Sequence, residues 1–438
     1  MSTTNLVFAS REEHLSWLAT EAQLPQGFRV GSAALSFLPV EVPKPSRMTL
    51  SLLALDRPTE AFAAMFTRNA VPGAPVRIGR ERVKGQSIGA IVVNTKVSNV
   101  GAPGGVQASE RVAAATARLL GFEPQQVLPS STGVIGWRLP VDEMIKALPA
   151  AISSLQPYSV LPAAQGIMTT DLYPKLRSVA VGSGRVVGIA KGAGMIEPNL
   201  ATMLVFLLTD LALPREVLRD ALSAAVDESF HSMTIDTDTS TSDSVVLLSS
   251  QRVPCPDEEA FRRGLTQVCQ DLAEDIVRNG EGVHHVVRVN VSGAPNAAFA
   301  RGVGKAVVSS PLFQCAVCGN DPNVGRLAMA VGKFVGSQAS ELDLSRCSMR
   351  VGGHLIFSEL EFRLDPTMET KLIAHLKAAE LYESAAPEAG VFRPPVNYPP
   401  HERSVEIDIH LGAGQASASV VGSDRSHEYI SENADYRS

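Results

Sequence analysis

Apolar and polar positions along this chain fall into short blocks whose period switches between two and nearly four, so strands and helices are expected in turn. Residues 48–55 predict a strand, and 90–94 a buried one that ends on the polar Asn94. Residues 59–66 predict a short helix and 110–120 an alanine-rich one. Near the start, Ser10 with Glu13 is a capping-box pattern, opening an amphipathic helix that runs to about Ala22. A strand at 126–128 follows, then a hairpin of 179–181 with 186–190 around Gly182 and Gly184, and later a strand at 286–291. Residues 214–230 and 257–278 predict helices, the second stopped by Asn279 and Gly280. Strands that alternate with helices predict an α/β protein with α+β layering.

One transition organises the rest. From Lys191 a glycine-punctuated turn passes through Pro198 into an apolar run that continues to Leu208, and Thr202 sits at the junction. Glycine reaches backbone conformations that other residues occupy only under strain, while the apolar run anchors one end in a core. On spacing alone this is a loop entering a buried element, with Thr202 held at a fixed point. Residues 130–136 set serines, Thr132 and Gly133 after the strand at 126–128. Such a strand end can leave N–H groups pointing outward, as an oxyanion hole requires, and a plain turn fits the same pattern.

Composition narrows the function classes. A chain of 438 residues exceeds what one core usually fills, so two or three lobes are expected. With 45% apolar and 19% charged residues it has the balance of an ordinary globular protein. A net charge of −6 gives no electrostatic case for nucleic acid or an anionic membrane, and small charged metabolites remain as partners. No apolar run reaches membrane-spanning length and the start lacks a signal-peptide pattern, so a cytoplasmic location is expected. The odd count of 5 cysteines fits a reducing compartment. Cys315 and Cys318 have metal-like spacing without a second ligand pair, and no metal is expected.

Residues 235–243 form the densest polar string, and three readings compete: a site-lining loop, a calcium loop, or a phosphatase motif with Asp236 as nucleophile. The calcium reading lacks the glycine and the bidentate glutamate. The phosphatase reading needs a clean apolar strand before Asp236, and 229–234 makes a poor one. Residues 302–305 lack the spacing of a phosphate loop. His284 and His285 receive no role, because no ligand partners stand near them in sequence.

The stretch 191–204 closely resembles the K-G-x-G-M-I-x-P-x-x-A-T-M-L segment of the ornithine acetyltransferase (glutamate N-acetyltransferase) family. Residues 130–136 resemble its S-T-G-V-I-G segment, 235–243 its I-D-T-D-T-S-T-S-D string, and 320–326 its D-P-N-W-G-R, with Val324 where tryptophan is usual. The tail resembles its N-x-x-Y-x-[TS] ending, and the likeness runs from Pro25 to Ser438. The resemblance implies a two-lobed mixed-sheet fold whose chain cuts itself between Ala201 and Thr202. The chain is then organised as an extension at 1–24, an α chain at 25–201 and a β chain at 202–438, the cut chains pairing as (αβ)2. Thr202 becomes the nucleophile and Thr132 with Gly133 the oxyanion hole. Thr169, Lys191, Thr202, Glu281, Asn433 and Ser438 contact substrate. The implied reaction is ping-pong acetyl transfer from N2-acetylornithine to glutamate, with no cofactor and with acetyl-CoA open as a further donor.

That chemistry is self-consistent. A threonine hydroxyl needs a base, and the α-amino group freed by cleavage, with an unperturbed pKa of about 7.7 to 8.0, can serve. By charge, Lys191 suits a substrate carboxylate and Glu281 an ammonium. Three other classes are carried forward. An N-terminal-nucleophile aminopeptidase would hydrolyse its acyl-enzyme, a phosphatase on Asp236 would require magnesium, and a paralogue would act on a different amino acid or only bind one.

Overall fold

The computed structural model describes residues 6–196, 203–339, 342–382 and 403–434. Two compact units result: Leu15–His231 with Asp238–Ile276, and Met1–His14 with Ser232–Thr237 and Val277–Ser438. The first unit holds β1 (Phe28–Phe37), β2 (Ser46–Thr59), β3 (Phe62–Phe66), β4 (Ile88–Asn94), β5 (Val127–Ser131), β6 (Lys175–Val181), β7 (Gly184–Lys191), β8 (Leu204–Ala212) and β9 (Ser244–Pro254). They make one sheet in the order β1-β2-β4-β5 and another in the order β3-β9-β8-β7-β6.

Strand periodicity explains how the sheets stack. Leu204, Phe206 and Leu208 of β8 and Val187 and Ile189 of β7 share a core with Leu53, Ile91 and Leu128 of the other sheet. The alternate positions face away: a Cβ on Gly188 would meet Val268 and Leu272 of the helix Glu258–Arg278. Leu52, Ala90 and Val92 likewise face the helices Gly105–Leu120 and Val141–Ser153. The result is four layers, helix, sheet, sheet and helix, and a strand buried on both faces must be apolar throughout, as the run into Leu208 is.

Most expected elements appear near their expected bounds. Ser10 Oγ accepts the Glu13 N–H at 3.1 Å, Glu13 Oε2 accepts the Ala9 N–H at 2.6 Å, and the helix Arg11–Glu21 comes next. Leu18, Ala22 and Leu24 bury themselves in the core between the sheets. The hairpin closes at Val181 opposite Gly184, with Gly182 at φ +59°. The helix expected at 59–66 is instead β3, paired antiparallel to β9 from Phe62 opposite Leu248 to Phe66 opposite Ser244. Alanine and methionine favour a helix there, but the open edge of β9 supplies a ladder and the tertiary partner wins. The strand expected at 126–128 runs on to Ser131, which pairs with Asn94 in a parallel ladder.

In the second unit, β10 (Val286–Ala294), β11 (Ser348–Val351), β12 (His354–Ser358), β13 (Glu361–Phe362), β14 (Val405–His410) and β15 (Ala416–Ser423) form a mixed sheet, in the order β13-β12-β11-β14-β10-β15. Its core takes Val303 and Val307 from the helix Ala297–Val308, and Leu327 and Val331 from the helix Val324–Gln338. No helix among the described residues is long and apolar enough to cross a membrane.

Candidate active site

Because β5 continues to Ser131, Thr132 and Gly133 lie at its carboxyl end. Thr132 donates its N–H to the Asn94 carbonyl at 3.0 Å, and Val134 donates to that of Lys96 at 2.9 Å. The ladder skips the residue between them, so the Gly133 N–H has no partner among the described residues. Gly133 sits at φ +128°, and a Cβ there would lie 2.1 Å from the Lys96 carbonyl carbon. Only glycine fits. Thr132 is 1% exposed, and its Oγ1 also lacks a hydrogen-bond partner among the described residues. Two adjacent residues thus hold an unspent N–H and an unspent hydroxyl, donors of the kind that a developing oxyanion needs.

A buried charge cluster surrounds the end of β7. Asp171 and Lys175 form an ion pair with side chains 1% and 0% exposed. Asp171 Oδ1 also accepts the Gly192 N–H at 3.0 Å, and Oδ2 accepts the Thr169 N–H at 2.9 Å. Burial alone would raise this carboxyl, but the Lys175 and Lys191 ammonium groups and the hydrogen bonds override it and hold it at about 2. Burial lowers the Lys175 ammonium despite its partner. Lys191 closes β7 opposite Leu204, is 4% exposed, and acts electrostatically on both Asp171 and Asp243. In the turn beyond it Met195 adopts φ +58°, a left-handed conformation that costs a non-glycine residue about 1 kcal/mol or more.

On the far side of the turn, Asp243 Oδ1 accepts the Met203 N–H at 2.8 Å. Burial pushes the Asp243 carboxyl well up, against the pull of that hydrogen bond, of Lys191 and of the Thr67 and Ser240 side chains. The Thr67 hydroxyl donates to the Ser240 carbonyl at 2.7 Å, and Asp243 Oδ2 makes no well-formed hydrogen bond among the described residues. This loop is tied to the one bearing Gly133. Thr241 accepts the Gly73 N–H at 2.8 Å, Asn99 accepts that of Ala74 at 3.0 Å, and Ser98 donates to Val134 at 3.1 Å.

In the second unit, the helix His427–Ala434 lies against the turn after Glu258–Arg278. Asn433 Nδ2 donates to Glu281 Oε2 at 2.9 Å, so these two expected substrate residues meet. Ser426 Oγ donates to the Gly282 carbonyl at 2.5 Å, and a Cβ on Gly282 would come within 2.2 Å of the Tyr429 nitrogen. Burial, then Glu281 and Glu428, raise the Glu432 carboxyl to about 7. His284 and His285 are structural partners of buried acids, at 3.2 Å from Glu428 and 2.8 Å from Asp424. Asp236 accepts from the Tyr429 hydroxyl at 3.3 Å, and a 3-10 turn, Phe230–Ser232, precedes it where a phosphatase would need a strand.

Of the expected site residues, Thr132, Gly133, Thr169 and Lys191 belong to the first unit, and Glu281 and Asn433 to the second. Ala201, Thr202 and Ser438 lie outside the described residues. Thr169 is exposed and enters the cluster through its backbone. Val324 starts its helix and is buried. Sequence reasoning missed Asp171, Lys175 and Asp243 as a group, because their only signal was charge next to apolar strand ends.

The sequence matches the ArgJ family over residues 38–438. The arginine biosynthesis bifunctional protein ArgJ of Rhodococcoides fascians is 35% identical over 418 residues, 95% of this chain and 95% of that protein. Its namesake from Methylococcus capsulatus is 37% identical over 389 residues, 86% of this chain and 88% of the relative. A crystal structure of arginine biosynthesis bifunctional protein argJ from Bacillus halodurans is 29% identical and covers 53% of this chain and 98% of its own, at a TM-score of 0.44. The class these relatives define is that of an enzyme, an N-acyltransferase. More narrowly, the chain belongs to the ArgJ family.

Proposed function

We propose that this chain cuts itself between Ala201 and Thr202 and then works in arginine biosynthesis as a ping-pong acetyltransferase, from N2-acetylornithine to glutamate. The relatives' names supply the pathway. The observation that carries the chemistry is the unspent pair at the end of β5, the Thr132 hydroxyl and the Gly133 N–H. In self-cleavage the Thr202 hydroxyl oxygen adds to the Ala201 carbonyl carbon. The C–N bond breaks, the nitrogen takes the hydroxyl proton, and water hydrolyses the resulting ester. The freed amino group then acts as base for the same hydroxyl.

In turnover the acetyl carbonyl occupies the Thr132 and Gly133 hole, Thr202 takes the acetyl group, and ornithine leaves with a proton. Glutamate's amine then attacks the acetyl ester and regenerates the hydroxyl. Lys191 serves a substrate carboxylate and Glu281 an ammonium, with Asn433 and Ser438 as neutral hydrogen-bonding groups. The α and β chains stay together and pair as (αβ)2.

Intact mass under denaturing conditions, before and after N2-acetylornithine, tests the whole scheme. Two fragments are expected, the second beginning at Thr202 and gaining one acetyl group, and Thr202→Ala should remain one unmodified chain. Acetyl-CoA in place of acetylornithine tests it as a further donor. An uncut wild-type chain rejects the mechanism, and acetate release without an acceptor favours the aminopeptidase reading.

A further inference from the structure

Asp243 is wholly buried where two parallel strands begin. Its Oδ1 takes the Met203 N–H at 2.8 Å, while the neighbouring Ser244 donates its own N–H to the Met203 carbonyl at 3.1 Å. Met203, the residue after Thr202, is therefore held on both sides one step before the ladder of β8 and β9 takes over at Leu204. The hold is itself braced, since the Asp243 carbonyl accepts the Thr67 N–H at 3.1 Å beyond the end of β3. The second carboxyl oxygen is buried and makes no well-formed hydrogen bond among the described residues. The one well-formed hydrogen bond this buried carboxyl makes among the described residues is the grip on Met203, while Lys191 and the Thr67 and Ser240 side chains also act on it.

We propose that Asp243 is a positioning residue for self-cleavage, fixing through the Met203 N–H the chain on the carboxyl side of the Ala201–Thr202 bond. The inference rests on the cleavage reading above. It adds a residue outside the nucleophile and oxyanion pair, and it assigns the carboxyl a hydrogen-bonding task and no charge. Burial disfavours the charged form of this carboxyl, and asparagine, with the same shape and a carbonyl oxygen in the same place, should replace it.

The test compares wild type, Asp243→Asn and Asp243→Leu as full chains, following the fragment that begins at Thr202 by intact mass against time, with Tm measured alongside. Asp243→Asn should cut within about threefold of the wild-type rate. Asp243→Leu, still folded, should cut about 100-fold more slowly, because a small misplacement of an attacking group costs that much. Rescue by asparagine separates positioning from proton transfer. Normal cutting by the leucine variant, or a folded asparagine variant that stays uncut, overturns the proposal. Should the leucine variant fail to fold, hydrogen exchange at the Met203 amide decides: slow exchange in wild type and Asp243→Asn supports the hold, and fast exchange in wild type ends it. A wild-type chain that never cuts rejects the cleavage reading itself, which distinguishes the two failures.

Discussion

At the scale of single residues, Gly133 and Thr132 make the sharpest demands. A Cβ at Gly133 would overlap the Lys96 backbone and sit at φ +128°, so Gly133→Ala should lower Tm as well as activity. Thr132→Val preserves volume and removes only the hydroxyl. It should cut kcat about 100- to 1000-fold with KM little changed, as loss of one oxyanion donor does. An unchanged kcat would remove Thr132 from the hole. Asp171 is a different kind of residue, a carboxyl held at about 2 within a buried pair. An unfolded aspartate titrates near 3.9, so between about pH 4 and pH 2 the unfolded state binds more protons. The stability contributed by Asp171 is therefore complete above about pH 4 and lost as pH falls toward 2. Asp171→Asn should show a large Tm deficit near neutral pH that closes in acid, and a deficit independent of pH would contradict this.

Among elements, the helix His427–Ala434 links stability to pH in the opposite sense. Glu432 is raised to about 7, whereas an unfolded glutamate titrates near 4.3. Over that interval the folded state holds the extra proton, so stability declines as pH rises through it. Glu432→Gln should match wild type near pH 4 and exceed it in Tm near pH 8. Equal melting at the higher pH would show that the helix end is solvated enough to carry the charge freely. The same helix brings Asn433 to Glu281, so its docking shapes the expected substrate contacts.

On the scale of the whole molecule, strand order governs whether the two halves stay together after the proposed cut. The sheet β3-β9-β8-β7-β6 takes β3, β6 and β7 from before Thr202, and β8 and β9 from after it. Each half alone would expose the strand faces that the other half covers. Fragments 1–201 and 202–438 are therefore expected to coelute on native gel filtration and to separate only in denaturant. Separation under native conditions would mean that the interleaved ladder does not hold them.

Periodicity, caps and turn residues placed most strands and helices, because these depend on local spacing: the Ser10 and Glu13 cap, the Gly182 turn and the uninterrupted apolar run of β8 were legible in the chain alone. The family resemblance, also read from the chain alone, nominated Thr132, Gly133, Lys191, Glu281 and Asn433 as site residues, and the variants above put that nomination to the test at Thr132 and Gly133. Tertiary structure decided the rest. Residues 62–66 became a strand because the edge of β9 stood open to them, which no local preference encodes. Asp171, Lys175 and Asp243 were ordinary charged positions until folding buried them beside Lys191 and Met203, and their shifted acidities come from that burial and from neighbours distant in sequence. The unspent donors at Thr132 and Gly133 also arise there, because which hydrogen bonds a strand end leaves unmade depends on the strand beside it.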